Sequence, residues 1–210
     1  MSQRQRIYSR GSLDRLERLI EERLQPGANK AQIDQRIWDL FGEHWSVMFT
    51  DLSGFSRRVA KFGIIDFLQT IYESERLLIP VLEEHDGILL KVEGDSMLVI
   101  FRNATKALQC AVAMQRVLAE YNIGRAGEET ILLSVGLGYG RVLRIGDSDV
   151  FGAEVNSASK LGEDFGKGRE ILVTGEFRRE CGDLPGLGYA QLPDPPAGTY
   201  SAFRVDWQPA

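Results

Sequence analysis

The sequence predicts an α+β fold, a ferredoxin-like βαββαβ sandwich with helices packed on a mainly antiparallel sheet, preceded by a short helical N-terminal segment. Three observations carry that expectation. Two strand-like runs, 87–93 and 96–101, are joined through Glu93-Gly94-Asp95, which is a hairpin pattern. Helix-like apolar periodicity flanks the hairpin over 64–85 and 103–121. The alternation of strands and helices lacks the uniform rhythm of a parallel βαβ array, which places the helices on one face of a largely antiparallel sheet.

Residues 1–42 read as a helical appendage. The stretch is charged, broken once at Gln25-Pro26-Gly27, and carries two apolar stripes: Leu13, Leu16, Leu19, Ile20 and Leu24, then Ile33, Ile37, Leu40 and Phe41. Two short helices packed on the domain explain this. The alternative is a coupling element through which a dimer partner or an upstream sensor or regulator acts. No sustained heptad supports a coiled coil. Residues 43–210 form the main domain. It reads as strand 45–50, helix 64–85, strands 87–93 and 96–101, helix 103–121, strand 130–138, short strand 141–145, helix 153–165 and strand 170–174. A short helix follows, then a Pro- and Gly-rich end with weak strands near 188–192 and 199–205.

A chain of 210 residues with 43% hydrophobic content can bury one sizeable core. A net charge of -5 argues against nucleic acid as a partner held by a general basic surface, so an anionic ligand needs a metal and local Lys or Arg. Only Cys110 and Cys181 are present and no signal peptide opens the chain, which points away from a disulfide framework and towards a cytoplasmic protein. The apolar runs fall far short of the roughly 20 residues that span a bilayer, so direct membrane insertion is not expected.

Two carboxylates stand where apolar runs end. Asp51 closes Val47-Met48-Phe49-Thr50, and Asp95 sits in the hairpin turn. An acidic residue ending a strand is common. If the two strands are neighbours, however, the carboxylates converge at one sheet edge, and hard oxygen ligands suit Mg²⁺ or Mn²⁺ holding a polyphosphate. The turn Ser53-Gly54-Phe55-Ser56 follows Asp51 directly and offers backbone N–H groups to phosphate oxygens where a helix begins. Lys91 projects from its strand on the same side as Glu93, and Asp149 sits in Gly146-Asp147-Ser148-Asp149-Val150-Phe151-Gly152. An ammonium and a carboxylate together can read adenine, which offers a ring acceptor and an exocyclic amine; by themselves they could equally be a surface salt bridge. Asn156 and Lys160 share a helix face at i, i+4, where a donor and a cation could stabilise phosphate charge, or simply be solvated. No Ser-His-Asp arrangement, Cys/His zinc spacing or Gly-x-x-x-x-Gly-Lys loop is present.

Taken in order, four motifs resemble the catalytic domain of class III nucleotidyl cyclases, the adenylate and guanylate cyclase family. They are Phe49-Thr50-Asp51-Leu52-Ser53-Gly54-Phe55-Ser56, Lys91-Val92-Glu93-Gly94-Asp95, Asp149-Val150-Phe151-Gly152 and Val155-Asn156-Ser157-Ala158-Ser159-Lys160. The resemblance covers about Trp45 to Val205. It implies that Asp51, Asp95 and the carbonyl of Leu52 hold two Mg²⁺ or Mn²⁺ ions per site, and that Gly54, Phe55 and Ser56 cradle the phosphates. It also implies that Lys91 and Asp149 select adenine, where guanine-selecting relatives generally carry Glu and Cys, and that Asn156 positions the ribose. The expected reaction is ATP to 3′,5′-cyclic AMP and pyrophosphate at the interface of a head-to-tail homodimer. Asp51 and Asp95 of one protomer would meet Lys91, Asp149, Asn156 and Lys160 of the other. Alternatives are a guanylate or pyrimidine nucleotide cyclase, or a degenerate, non-catalytic nucleotide-binding regulatory module. Two departures stand out: Lys160 replaces the family's usual Arg and so loses its bidentate fork, and 142–146 runs almost directly into the Asp149 motif, where many relatives insert a longer dimerisation arm.

Overall fold

The computed structural model describes residues 3–207, with the side chains of residues 3–10, 55–58 and 128 outside the described set. Two helices come first, α1 (Gln3–Leu24) and α2 (Lys30–Phe41), separated at Pro26-Gly27 as the break in periodicity requires. The Asn29 side chain caps α2 by accepting from the Gln32 amide at 3.2 Å, satisfying one of the amides left free at a helix start. Leu19, Ile33, Ile37 and Phe41 pack together with Ile145, so part of each apolar stripe docks the helical segment on the sheet, whereas Leu13, Ile20, Leu24 and Leu40 of the same stripes are exposed.

The main domain follows as β1 (Gly42–Leu52), α3 (Phe55–Phe62), α4 (Ile64–Glu84), β2 (Ile88–Glu93), β3 (Ser96–Phe101), α5 (Ala104–Tyr121), β4 (Leu133–Ile145), β5 (Asp149–Phe151), α6 (Ala153–Ser159), a π-helical turn (Lys160–Phe165), β6 (Ile171–Thr174), α7 (Gly175–Cys181), β7 (Gly188–Gln191) and β8 (Ala202–Asp206). The sheet order is β2-β3-β1-β4-β6-β8-β7, with β5 paired to β4. All pairs are antiparallel except β4 with β6. The β2-β3-β1-β4 half has the ferredoxin-like arrangement expected from the sequence.

Strand periodicity divides the sheet into two faces. Met48 and Leu52 of β1, Met97, Val99 and Phe101 of β3, and Leu133, Val135 and Leu137 of β4 meet α4, α5 and α7 in the larger core. The alternate residues Trp45, Val47, Leu98, Ile100 and Val142 face the other way and are covered by Val150 of β5 and Val155 of α6. Both cysteines are buried and unpaired, and no described helix is long and apolar enough to cross a membrane.

Four details differ from the sequence reading. The helices do not keep to one face, because α6 lies opposite α4, α5 and α7. The separate strands expected at 130–138 and 141–145 are one continuous strand, since β1 pairs with its whole length from Leu133 to Leu143 and leaves no place for a break. An extra helix, α3, fills the stretch before α4, divided from it only by Gly63 at φ +88°. The helix expected over 153–165 changes from α to π at Lys160, where Gly162 lies against β1 and β4.

Candidate active site

Asp51 is the penultimate residue of β1 and shares its odd-numbered face with Trp45 and Val47, so it points to the smaller-core side. The β2–β3 hairpin lies beside β1, with Glu93 opposite Ser96 and the turn made by Gly94 and Asp95. Gly94 takes φ +62°, a left-handed value that a side chain would oppose. Ser96 Oγ donates to Asp51 Oδ1 at 3.3 Å, tying the hairpin to the end of β1. Burial chiefly, then the charge of Asp95, pushes the Asp51 carboxyl up to about 6; Glu163 and Asp164 add to this and Ser96 opposes it. Burial also raises Asp95, against a hydrogen bond from its own backbone.

The neighbouring charges acting on Asp51 are all negative, so the half-buried carboxylate pair favours a cation of hard character. Among the described residues no three His, Cys, Asp or Glu side chains cluster as a complete metal cage. Asp51, Asp95 and main-chain oxygen at Leu52 would therefore hold an ion incompletely, leaving positions for phosphate oxygens, as Mg²⁺ prefers. Gly54 stands at φ +97° and caps α3, so the chain turns from Asp51 into a helix N-terminus within three residues. Phe55 and Ser56 open that helix; their side chains lie outside the described residues.

Lys91 and Asp149 come together within one chain. Lys91 is opposite Leu98 on the hairpin. Asp149 arrives from β5, which pairs back on β4 with Asp149 opposite Ile145. Val150 of this strand is buried in the smaller core with Trp45 and Val47. Asp149 Oδ1 accepts from the Val150 amide at 2.9 Å, which orients the carboxylate, and Oδ2 accepts from Lys91 Nζ at 2.5 Å. The pair lines a cleft of about 170 Å³ whose apolar walls are Phe49, Leu98, Val150 and Val155. Apolar walls with a donor and an acceptor among the lining groups suit a planar heterocycle.

Asn156 is exposed on α6, and the start of the π-turn places Lys160 one turn further on. Lys160 Nζ donates to the Ala197 carbonyl at 2.9 Å, and Thr199 Oγ1 donates to Ser157 Oγ at 2.9 Å, so the β7–β8 loop holds this helix. Neither Asn156 nor Lys160 lines the cleft of the single chain.

The sequence reading missed Ser96 and Glu163, which line the cleft and also act on Asp51. It also passed over Gly136, Gly138 and Gly140. Their spacing of two leaves one face of β4 bare, and α6 lies directly on it: a Cβ on Gly136 would stand 2.1 Å from the Ala158 carbonyl oxygen. That alternation was visible in the sequence as a sign of close backbone approach.

Residues 42–182, about two thirds of the chain, match the family model described as the adenylate and guanylate cyclase catalytic domain. The chain is 33% identical over 106 residues to the serine/threonine-protein kinase pkn2 of Myxococcus xanthus, and 30% identical over 116 residues to putative adenylate cyclase 3 of Rhizobium meliloti. Those alignments take in 50% and 55% of this chain but only 13% and 20% of the two longer proteins. Among solved structures, an adenylate/guanylate cyclase/hydrolase from Silicibacter pomeroyi superposes with a TM-score of 0.68 at 23% identity, covering 78% of this chain and 95% of that one. The adenylyl cyclase CyaB from P. aeruginosa gives 0.63 at 19% identity, covering 78% and 94%. At such identities the structural likeness speaks for the fold, and it is the family match across β1 to α7 that places the chain: it belongs to the adenylate and guanylate cyclase catalytic domain family.

Proposed function

We propose that this chain is an adenylate cyclase domain that converts ATP to 3′,5′-cyclic AMP and pyrophosphate as a head-to-tail homodimer. The observation that carries the choice of base is the Lys91–Asp149 pair lining a cleft with apolar walls. Lys91 donates to a ring nitrogen of adenine and Asp149 accepts from its amino group, while the cleft walls stack on the ring. The N-terminus of α3 takes phosphate oxygens through its free amides. Asn156 positions the ribose, and Lys160 turns from Ala197 to neutralise phosphate charge. Asp51, Asp95 and the Leu52 carbonyl hold two divalent ions, Mg²⁺ or Mn²⁺, which when bound neutralise the triphosphate and make the ribose 3′-hydroxyl a better nucleophile. Asp51 and Asp95 of one protomer face Lys91, Asp149, Asn156 and Lys160 of its partner, and the N-terminal helices receive an upstream sensor or regulator.

Incubation with each of the four nucleoside triphosphates and Mn²⁺, with products identified by mass spectrometry, tests this reading. Cyclic AMP is the expected main product. Lys91→Glu combined with Asp149→Cys is expected to lower kcat/KM for ATP by about tenfold or more, because both base contacts are reversed. A main product from another triphosphate, or an unchanged ATP preference in the double variant, refutes the assignment of the base. Mn²⁺ binding with no product from any triphosphate supports a non-catalytic regulatory module instead, the reading that the Lys160–Ala197 contact favours.

A further inference from the structure

The outer edge of β4 is interrupted. β6 pairs with residues 135–137 and β5 with 143–145, so among the described residues no strand covers the stretch between them on that side. The Glu154 side chain spans this fork. Its Oε2 accepts from the Tyr139 amide at 3.2 Å and from the Thr174 hydroxyl at 2.6 Å, the latter being the last residue of β6. Bare backbone makes the path possible: a Cβ on Gly138 would come 3.1 Å from that oxygen, and one on Gly140 would come 2.8 Å from Glu154 Cγ. Glu154 sits in the first turn of α6, two residues before Asn156. α6 has only seven residues, and a helix that short takes its orientation from tertiary contacts rather than from its own propensity. Burial holds the Glu154 carboxyl above its ordinary range. A carboxylate kept partly buried, where an apolar side chain would be easier to bury, is best explained by the bonds it makes.

We propose that Glu154 is a positioning residue for Asn156: by bonding to β4 and β6 through one oxygen, it fixes where α6 presents the Asn156 side chain to the nucleotide. The proposal rests on the reading of Asn156 as a ribose-positioning group. It requires a hydrogen-bond acceptor at this point rather than a negative charge, which sets it apart from an electrostatic role.

Glu154→Gln and Glu154→Ala separate these roles when the full chain is assayed with Mn²⁺ and ATP and melted in parallel. The Gln side chain keeps a carbonyl oxygen that can accept both bonds, so its kcat is expected within about threefold of wild type. Glu154→Ala is expected to lower kcat by about tenfold or more, with KM for ATP within about twofold, as for an interaction felt chiefly in the transition state. Should the Ala variant fail to fold, Glu154→Asp, which is one methylene too short to reach both donors, carries the same expectation. Wild-type kcat in Glu154→Ala, or equal damage from Gln and Ala, overturns the proposal. Asn156→Ala run alongside keeps the two failures apart. If it is inactive while Glu154→Ala is unaffected, only the positioning role falls; if it is fully active, the reading of Asn156 falls and the proposal with it.

Discussion

Replacing Gly136 by alanine is expected to damage catalysis far more than folding. Gly136 lies in the middle of β4, opposite Phe49 of β1 and Leu172 of β6, so the strand is held on both sides. A Cβ there would stand 2.1 Å from the Ala158 carbonyl oxygen and 2.4 Å from the Gly162 amide nitrogen. Ordinary contact begins near 3.4 Å, which leaves a shortfall of about 1.3 Å against main-chain atoms that no rotamer change can relieve. The sheet is the more firmly fixed partner, so α6 and the π-turn must move, taking Asn156 and Lys160 with them. Overpacking of this kind costs about 1–3 kcal/mol, or roughly 3–10 °C in Tm for a chain of this size. A displacement of about 1 Å in a positioning group costs on the order of a hundredfold in rate. The variant should therefore remain folded, bind ATP with little change in KM, and lose about two orders of magnitude in kcat. Thermal melts and steady-state cyclase kinetics measure both quantities. Gly11→Ala is the control, because a Cβ there meets nothing within 4 Å. Wild-type kcat in a folded Gly136→Ala variant would refute the claim that the bare face of β4 sets the position of α6.

Two further outcomes follow from the carboxylates and from the proposed dimer. Folding raises the Asp51 carboxyl from 3.8 to about 6. The resulting penalty is absent below about pH 3.8, grows as pH rises towards about 6, and is complete above that. The shift corresponds to about 3 kcal/mol in full and, discounted for a half-exposed group, to about 1–2 kcal/mol. Asp51→Asn should therefore be inactive yet melt roughly 2–8 °C higher than wild type in chelator at pH 7.5, with the gain disappearing near pH 4. A lower Tm than wild type at pH 7.5 would show that the site is not strained by unneutralised charge. In the proposed head-to-tail homodimer, Asp51→Ala and Asn156→Ala are each inactive alone, but when mixed they should regain about a quarter of wild-type sites, because one site of every heterodimer is intact. Demonstrated subunit exchange with no recovered activity would exclude a site shared across the interface in this way.

The motifs legible in the sequence were those whose chemistry is local. The Glu93-Gly94-Asp95 turn announces its hairpin through the pattern on either side, and the structure has that hairpin from Ile88 to Phe101. The pairing of Lys91 with Asp149 was expected from the family resemblance, yet the means were not visible: 58 residues separate them, and pairing of β5 with β4 together with burial of Val150 beside Trp45 sets β5 in place. The continuity of β4 was hidden because Gly136, Gly138 and Gly140 weaken the apolar alternation that identifies a strand. The change to a π-turn at Lys160 was hidden for a different reason. It depends on Gly162 meeting the Phe49 carbonyl of a distant strand, which no local window contains. Glu154 reads as an ordinary first-turn acid until the fork between β5 and β6 is seen around it.

If the cleft takes the base as proposed, its ion pair makes nucleotide selection a matter of exchange rather than of filling an empty space. The Lys91 ammonium and the Asp149 carboxylate are each other's nearest charged partner, with 35% and 25% of their side chains exposed, and Glu93 lies 4.0 Å from Lys91. On that reading an entering base would have to part them, and a half-buried charge left without a partner is worse placed than one in water. On the proposed reading, adenine would hand each group a replacement at the moment of separation. A base that answers only one of them would strand the other, so in the proposed cyclase the closed pair would work as a latch that rejects by default, and discrimination would grow from what a wrong base breaks more than from what a right one adds.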